Sequence, residues 1–256
     1  MKTVILAGGL GTRIAEPGQN IPKPMVEIGG MPIIHHIMSF YASRGHSDFV
    51  LALGHRSQVV KSYFLNLRSR IEDIQISLGT GETAYLTSKS EGWNVTLVDT
   101  GAATMTGGRL LRLREYLPDT FFMTYGDGLS DVDLSELLEC HKANSNVLTL
   151  TAVNPDSRYG QLVLDAAGRV EGFREKPEIL NEWVNGGFMV AEPAVFDYLD
   201  GDETVLEAGP MARIAEDGRL GALRHQGFWH AMDTMRDRES LEQIWATGMA
   251  PWKTLG

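Results

Sequence analysis

The stretch TVILAGGLGTRIAEPGQNIPKP (residues 3–24) decides the fold class. Thr3 to Ala7 form a short apolar run rich in β-branched side chains, and it stops at Gly8. Such a run reads as a buried strand, of the parallel kind that is apolar on both faces. Residues 8–30 then make a long loop rich in glycine and proline, and long loops in compact domains usually carry function. Glycines let backbone N–H groups come close to a ligand, and successive N–H groups can form a concave nest for an anion. Arg13, and Lys23 ten residues later, add two full positive charges. The guest that fits is a phosphate chain. Two common phosphate motifs are excluded: no lysine follows Gly11 at the P-loop offset, and Ile14 stands where a dinucleotide fingerprint needs its third glycine.

Outward from this loop, residues 33–42 carry apolar side chains at helical spacing, with Pro32 before them and Gly45 after. DFVLAL (48–53) is the next strand and SQVVKSYFLNL (57–67) the next helix, so strands and helices alternate in βαβ fashion. Residues 79–92 read as a polar surface loop, 93–100 as a strand, 106–117 as a helix and 120–128 as a central strand. Asp133 with Glu136 three residues on predicts a capping box for the helix that follows. VLTLTAV (147–153) is a buried strand, and 159–177 reads as a β-hairpin. Helices are expected near 193–200 and 210–217, then a strand at 219–225 and a final amphipathic helix holding Leu241, Ile244 and Trp245. The expectation is one domain, 1–256, with a nucleotide-binding half (1–150) and an acceptor-binding half (151–256).

Composition bounds the function. With 43% hydrophobic and 22% charged residues the chain belongs with soluble globular proteins, and 256 residues suffice for a large core. A net charge of −10 argues against a nucleic-acid duplex or an anionic membrane as partner, but not against small phosphorylated ligands. The lone cysteine, Cys140, forms no internal disulfide, which suits a reducing cytoplasm. The apolar run after Thr3 is too short for a signal peptide, and no stretch approaches the ~20 apolar residues of a membrane span.

Ligands of open α/β sheets lie at the carboxyl ends of strands. Three polar clusters are expected there: Gly8 to Arg13, Asp127 and Asp233. Asp127, between Gly126 and Gly128, is either a turn residue or a metal ligand, since carboxylates beside phosphates call for an intervening cation such as Mg²⁺. Lys23 lies between Pro22 and Pro24, which fix φ and bar a helix; it is either an exposed loop lysine or an ammonium held at a set point. Lys176 likewise precedes a proline. Asn185 in NGG (185–187) is either a turn residue or a partner for a hydroxyl. Asp131 and Asp133 form an Asp-x-Asp pair of the kind some glycosyltransferases use for metal, unless Asp133 is simply a helix cap. None of the seven histidines has zinc-ligand spacing, and no nucleophile elbow is present.

Together LAGGLGTR, KPMVEIGG, YGDG, FREKP, NGGF and MDT resemble the sugar-1-phosphate nucleotidylyltransferases over nearly the whole chain. WNVTLVDTG, MTGGRL, TYGDGLSDVDL and the closing APWKT resemble their glucose-1-phosphate cytidylyltransferase branch. The resemblance implies a Rossmann-like α/β fold: a mixed, mostly parallel sheet flanked by helices, with a small β-rich part for the acceptor. It implies CTP and a phosphorylated acceptor as partners, Mg²⁺ as cofactor, and a homo-oligomer. Leu6, Gly8, Gly9, Gly11, Thr12, Thr104 and Arg109 fall on nucleotide positions, and Arg13 and Lys23 on the catalytic cations. Asp127 and Asp233 match the Mg²⁺ ligands. Tyr125, Gly126, Glu175, Lys176, Asn185 and Gly187 match acceptor positions, with Lys176 on the sugar phosphate. VLEAGP (205–210) departs from the branch, with Leu206 and Gly209 where a tryptophan and a second acid are expected. So do EILNEWV (178–184) and residues 68–91. These departures bear on the acceptor and leave the nucleotidyl chemistry intact. The alternatives are another base or acceptor, a glycosyltransferase built on Asp131 and Asp133, and an inactive nucleotide-binding subunit.

Overall fold

The computed structural model describes residues 1–9, 21–87, 91–155, 161–164, 168–174 and 183–253. Strand β1 (Lys2–Leu6) pairs in parallel with β2 (Asp48–Leu53), which pairs in parallel with β3 (Asn94–Asp99). On its other edge β1 pairs in parallel with β4 (Phe121–Tyr125). Next in chain order come β5 (Gly128–Ser130) and β6 (Leu148–Val153). Strands β7 (Val184–Asn185) and β8 (Met189–Ala191) both run antiparallel to β6, and β8 also pairs antiparallel with β4. Strand β9 (Leu220–His225) closes this mixed sheet, parallel to β6. A separate ribbon joins β10 (Trp229–Ala231) to β5.

Alternation along the strands puts apolar side chains on both faces. Ile5, Phe49, Leu51 and Phe122 enter one core, beneath α1 (Ile33–Ala42) and the closing helix, which carries Leu241. Val4, Val50, Ala52 and Met123 enter the other, beneath the short helix that carries Leu110. Helix α1 starts after Pro32 and ends before Gly45 at φ +84°, with Ile33, Ile37, Phe40 and Tyr41 fully covered. The carboxyl ends of β1, β2, β3, β4, β6 and β9 thus lie along one edge of the sheet. No described helix is long and apolar enough to cross a membrane.

Four expectations change. Residues 79–92 are not all loop: Thr83–Tyr85 pairs with Ile74–Ile76 in a hairpin whose second strand is exposed along its whole length and so carries no apolar face. The helix expected over 106–117 is α-helical only at Thr106–Leu111 and ends in a 3₁₀ turn at Arg114–Tyr116. The segment near 193–200 is 3₁₀ over Pro193–Tyr198. Asp133 caps its helix by accepting from the N–H groups of Ser135 and Glu136, while the reciprocal capping box belongs to the last helix, where Thr234 and Asp237 bond each other's backbone. The expected hairpin after residue 159 is present as Gln161–Leu164 against Val170–Arg174.

Candidate active site

Lys23 opens a three-residue 3₁₀ turn, Lys23–Met25, that Pro22 and Pro24 favour by fixing φ. Pro24 and Met25 are buried, and the loop behind is tied to the last helix, where Glu242 accepts the Gly29 N–H at 2.8 Å. So anchored, the Lys23 ammonium donates to Asp127 Oδ2 at 2.5 Å and to Asp233 Oδ1 at 2.7 Å. Burial opposes the charged form, but the two carboxylates outweigh it and hold this ammonium above the usual lysine range.

The acids come from distant places in the chain. Asp127 precedes β5 and Asp233 follows β10, and the antiparallel pairing of Ala231 with Gly128 brings them side by side. The Met232 N–H then donates to the Asp127 carbonyl at 2.9 Å. Asp237 Oδ2 accepts from the backbone N–H groups of Asp233 and Thr234, which fixes the turn bearing Asp233. Contrary to the sequence reading, the strand before Asp233 belongs to this ribbon and not to the main sheet.

A cavity of about 440 Å³ adjoins this cluster, walled in part by Leu6, Gly8, Gly9, Thr104, Tyr125 and Gly126. Gly8 has no room for a side chain because a Cβ there would strike the Arg109 guanidinium. Arg109 is 5% exposed. Its donors go to the carbonyls of Gly8, Leu53, Gly101 and Ala102 and to the Thr100 hydroxyl. Arg109 borders the cavity, yet the geometry makes it a clamp that joins the ends of β1, β2 and β3.

Tyr125, in the cavity wall, is contacted by the break between β7 and β8. Gly187 at φ +73° and Phe188 at φ +45° turn the chain, and the buried Phe188 ring packs on Tyr41, holding a conformation costly for a bulky residue. A Cβ on Gly187 would lie 3.1 Å from the Tyr125 ring. Asn185 donates to the Tyr125 hydroxyl at 3.2 Å and accepts the Gly187 N–H at 3.0 Å. Tyr125 donates in turn to Glu207 at 2.6 Å. Glu207 sits in the VLEAGP segment that the sequence marks as divergent, and its carboxylate has no local signal of a role in the site. Asp237 was missed too, although its place three residues after Thr234 signals a capping box.

Gly11, Thr12, Arg13, Glu175 and Lys176 lie outside the described residues. Asp133 is engaged as a cap, and Asp131 Oδ1 lies 3.0 Å from His225 Nε2, so the Asp-x-Asp acids are taken up by different partners. Among the described residues no group of three or more His, Cys, Asp or Glu converges as a metal cage. Asp127 and Asp233 do converge on one cation, the ammonium. Hard oxygen donors from two carboxylates fit Mg²⁺, which commonly takes its remaining ligands from substrate phosphates and water.

Residues 2–216 match the nucleotidyl transferase family. The glucose-1-phosphate cytidylyltransferase of Salmonella typhi is 46% identical over 256 residues, covering 99% of each chain. The enzyme of the same name from Salmonella typhimurium LT2 is 46% identical with the same coverage. The crystal structure of HddC from Yersinia pseudotuberculosis matches with a TM-score of 0.67 at 20% identity, over 95% of this chain and 99% of that one. That likeness concerns the fold, a Rossmann-like nucleotidyltransferase architecture.

Proposed function

This chain belongs to the nucleotidyl transferase family, and from that premise we propose that it transfers the cytidylyl group of CTP to a hexose 1-phosphate, glucose 1-phosphate foremost, releasing pyrophosphate. One observation carries the reading: an ammonium and two carboxylates, Lys23, Asp127 and Asp233, meet at the edge of a cavity walled by the Gly8–Gly9 turn. The choice of CTP and glucose 1-phosphate rests on the two Salmonella relatives.

A phosphate oxygen of the sugar 1-phosphate attacks the α-phosphorus of CTP in line. A new P–O bond forms, the α–β phosphoanhydride bond breaks, and its electron pair leaves with pyrophosphate. The nucleophile is already anionic near neutral pH, because a phosphomonoester loses its second proton near pH ~6. No general base is needed. The barrier is the approach of two polyanions, so catalysis is positioning and charge neutralisation. Lys23 neutralises charge at the reacting phosphate, and Arg13 at the leaving phosphates. Gly8, Gly9, Gly11 and Thr12 line the triphosphate; Leu6 and Thr104 face the nucleoside; Arg109 holds that wall in shape. Lys176 takes the sugar phosphate, while Glu175, Asn185 and the backbone at Gly187 take the sugar. Asp127 and Asp233 are the residues that would hold Mg²⁺, which supplies charge neutralisation of the triphosphate when bound.

The test is a matrix of the four ribonucleoside triphosphates and dTTP against a panel of sugar 1-phosphates, read as pyrophosphate release. Turnover confined to CTP with glucose 1-phosphate is the expected result. Equal turnover with UTP overturns the base assignment, and turnover only with another acceptor overturns the sugar.

A further inference from the structure

Glu207 begins a chain of hydrogen bonds that its carboxylate helps to orient. Its Oε1 accepts from the Tyr125 hydroxyl at 2.6 Å, and its Oε2 accepts from the Thr106 hydroxyl at 2.7 Å. An ionised carboxylate only accepts, so the Tyr125 proton must point at Glu207. Burial, first, and then the Glu207 charge push the Tyr125 phenol up, which keeps that proton in place. The Tyr125 oxygen is then left as an acceptor, and Asn185 must turn its NH₂ toward it. The Asn185 carbonyl oxygen is thereby aimed at the Gly187 N–H, which requires an acceptor. Both neighbours of the amide dictate the same orientation. An amide is planar, so placing one N–H fixes the direction of the other. Among the described residues nothing accepts that second N–H.

We infer that Glu207 is a positioning residue for acceptor choice: through Tyr125 it fixes Asn185 as a hydrogen-bond donor to the sugar, so the site selects acceptors that present an oxygen lone pair there. The inference rests on the assignment of Asn185 to the acceptor proposed above. It also accounts for the place of Glu207, whose side chain is reached only through the 201–209 segment and touches no reacting group. Without the carboxylate, the tyrosine proton can turn toward Asn185, and the amide is then held in its donor orientation by the Gly187 N–H alone. A site that offers the wrong partner leaves a substrate hydroxyl unpaired, and such mismatches discriminate strongly.

Glu207→Leu, Tyr125→Phe and the double variant are compared for KM of acceptor and of CTP. Each single variant should raise the acceptor KM about tenfold, the worth of one well-placed hydrogen bond, and leave CTP KM within about twofold. The double variant should be no worse than Tyr125→Phe alone, because the relay is already cut. Multiplying effects, or the same acceptor defect in Thr106→Val, would mean that Glu207 acts by packing the 102–106 segment, and the relay falls. The side-chain amide resonances of Asn185, followed by NMR in the free protein, supply a readout independent of turnover. They should shift in Glu207→Leu; unchanged resonances overturn the inference. If the wild-type protein turns over no hexose 1-phosphate, the proposed reaction fails, while the amide resonances still decide the relay.

Discussion

The Lys23 ammonium stands 2.7 Å from Asp233 Oδ1 across 210 residues of chain, on the same point that Asp127 approaches at 2.5 Å. A divalent cation on these carboxylates competes with the ammonium for the same oxygens. Lys23→Ala should therefore bind Mn²⁺ more tightly in the absence of nucleotide, by about tenfold or more at an effective dielectric typical of proteins. The same variant should lose about 10²–10³ in kcat, as expected for a lost transition-state charge contact. Titration of Mn²⁺ by paramagnetic resonance checks the first half and pyrophosphate release the second. Unchanged metal affinity would show that ion and ammonium do not share a site.

Asp127→Asn and Asp233→Asn should each lower turnover by at least about 10² while leaving thermal stability close to that of the parent, since both acids are partly exposed and, among the described residues, tied to Lys23. Asp133→Ala should behave oppositely, losing about 1 kcal/mol of stability with its helix cap and keeping activity. Kinetics and denaturant melts on the same preparations separate the two patterns. A crippled but stable Asp133→Ala would revive the Asp-x-Asp metal reading.

Arg109→Ala removes the guanidinium from five oxygen acceptors at the ends of three strands, of which Leu53 keeps the Thr100 N–H and hydroxyl and Gly8 the His55 N–H. The expected loss is about 3 kcal/mol or more, seen as a lowered denaturation midpoint. Arg109→Lys should recover only part, because a point charge cannot reproduce the guanidinium fork. An Arg109→Ala protein that is fully stable and only weak in CTP binding would move Arg109 from the frame to the ligand.

His35 is buried on helix α1, 2.9 Å from the Tyr63 hydroxyl, and burial with the neighbouring His36 holds its pKa down at about 4, although Glu91 lies 3.4 Å away. The unfolded chain takes up this proton near pH 6.5 and the folded protein only near 4. Stability from this group is therefore full above pH 6.5, falls by up to about 1.4 kcal/mol per pH unit below it, and levels off under pH 4. His35→Gln should flatten that slope in urea melts taken between pH 4 and 7. A slope unchanged by the substitution would assign it to other groups.

Local chemistry makes much of this fold legible in the sequence. The Thr3–Ala7 strand, helix α1 between Pro32 and Gly45 and the hairpin after 159 are written in runs of a few residues, because side-chain periodicity, proline φ and glycine freedom act over that range, whereas local pattern leaves two readings each for Lys23, Asp127 and Asn185. Where local pattern was weak the reading missed, as at Thr83–Tyr85, whose strand exists only by pairing with Ile74–Ile76. The tertiary structure alone decided which charges meet. Asp127 and Asp233 share one ammonium because β5 pairs with β10 in a single register, and a register is a property of two segments together. For the same reason the placing of Arg109 among three strand ends, and of Glu207 against Tyr125, belongs to the packing. Sequence specifies which groups are present and how each backbone segment turns; only long-range packing sets the few ångströms between groups on which hydrogen bonds and charge neutralisation depend.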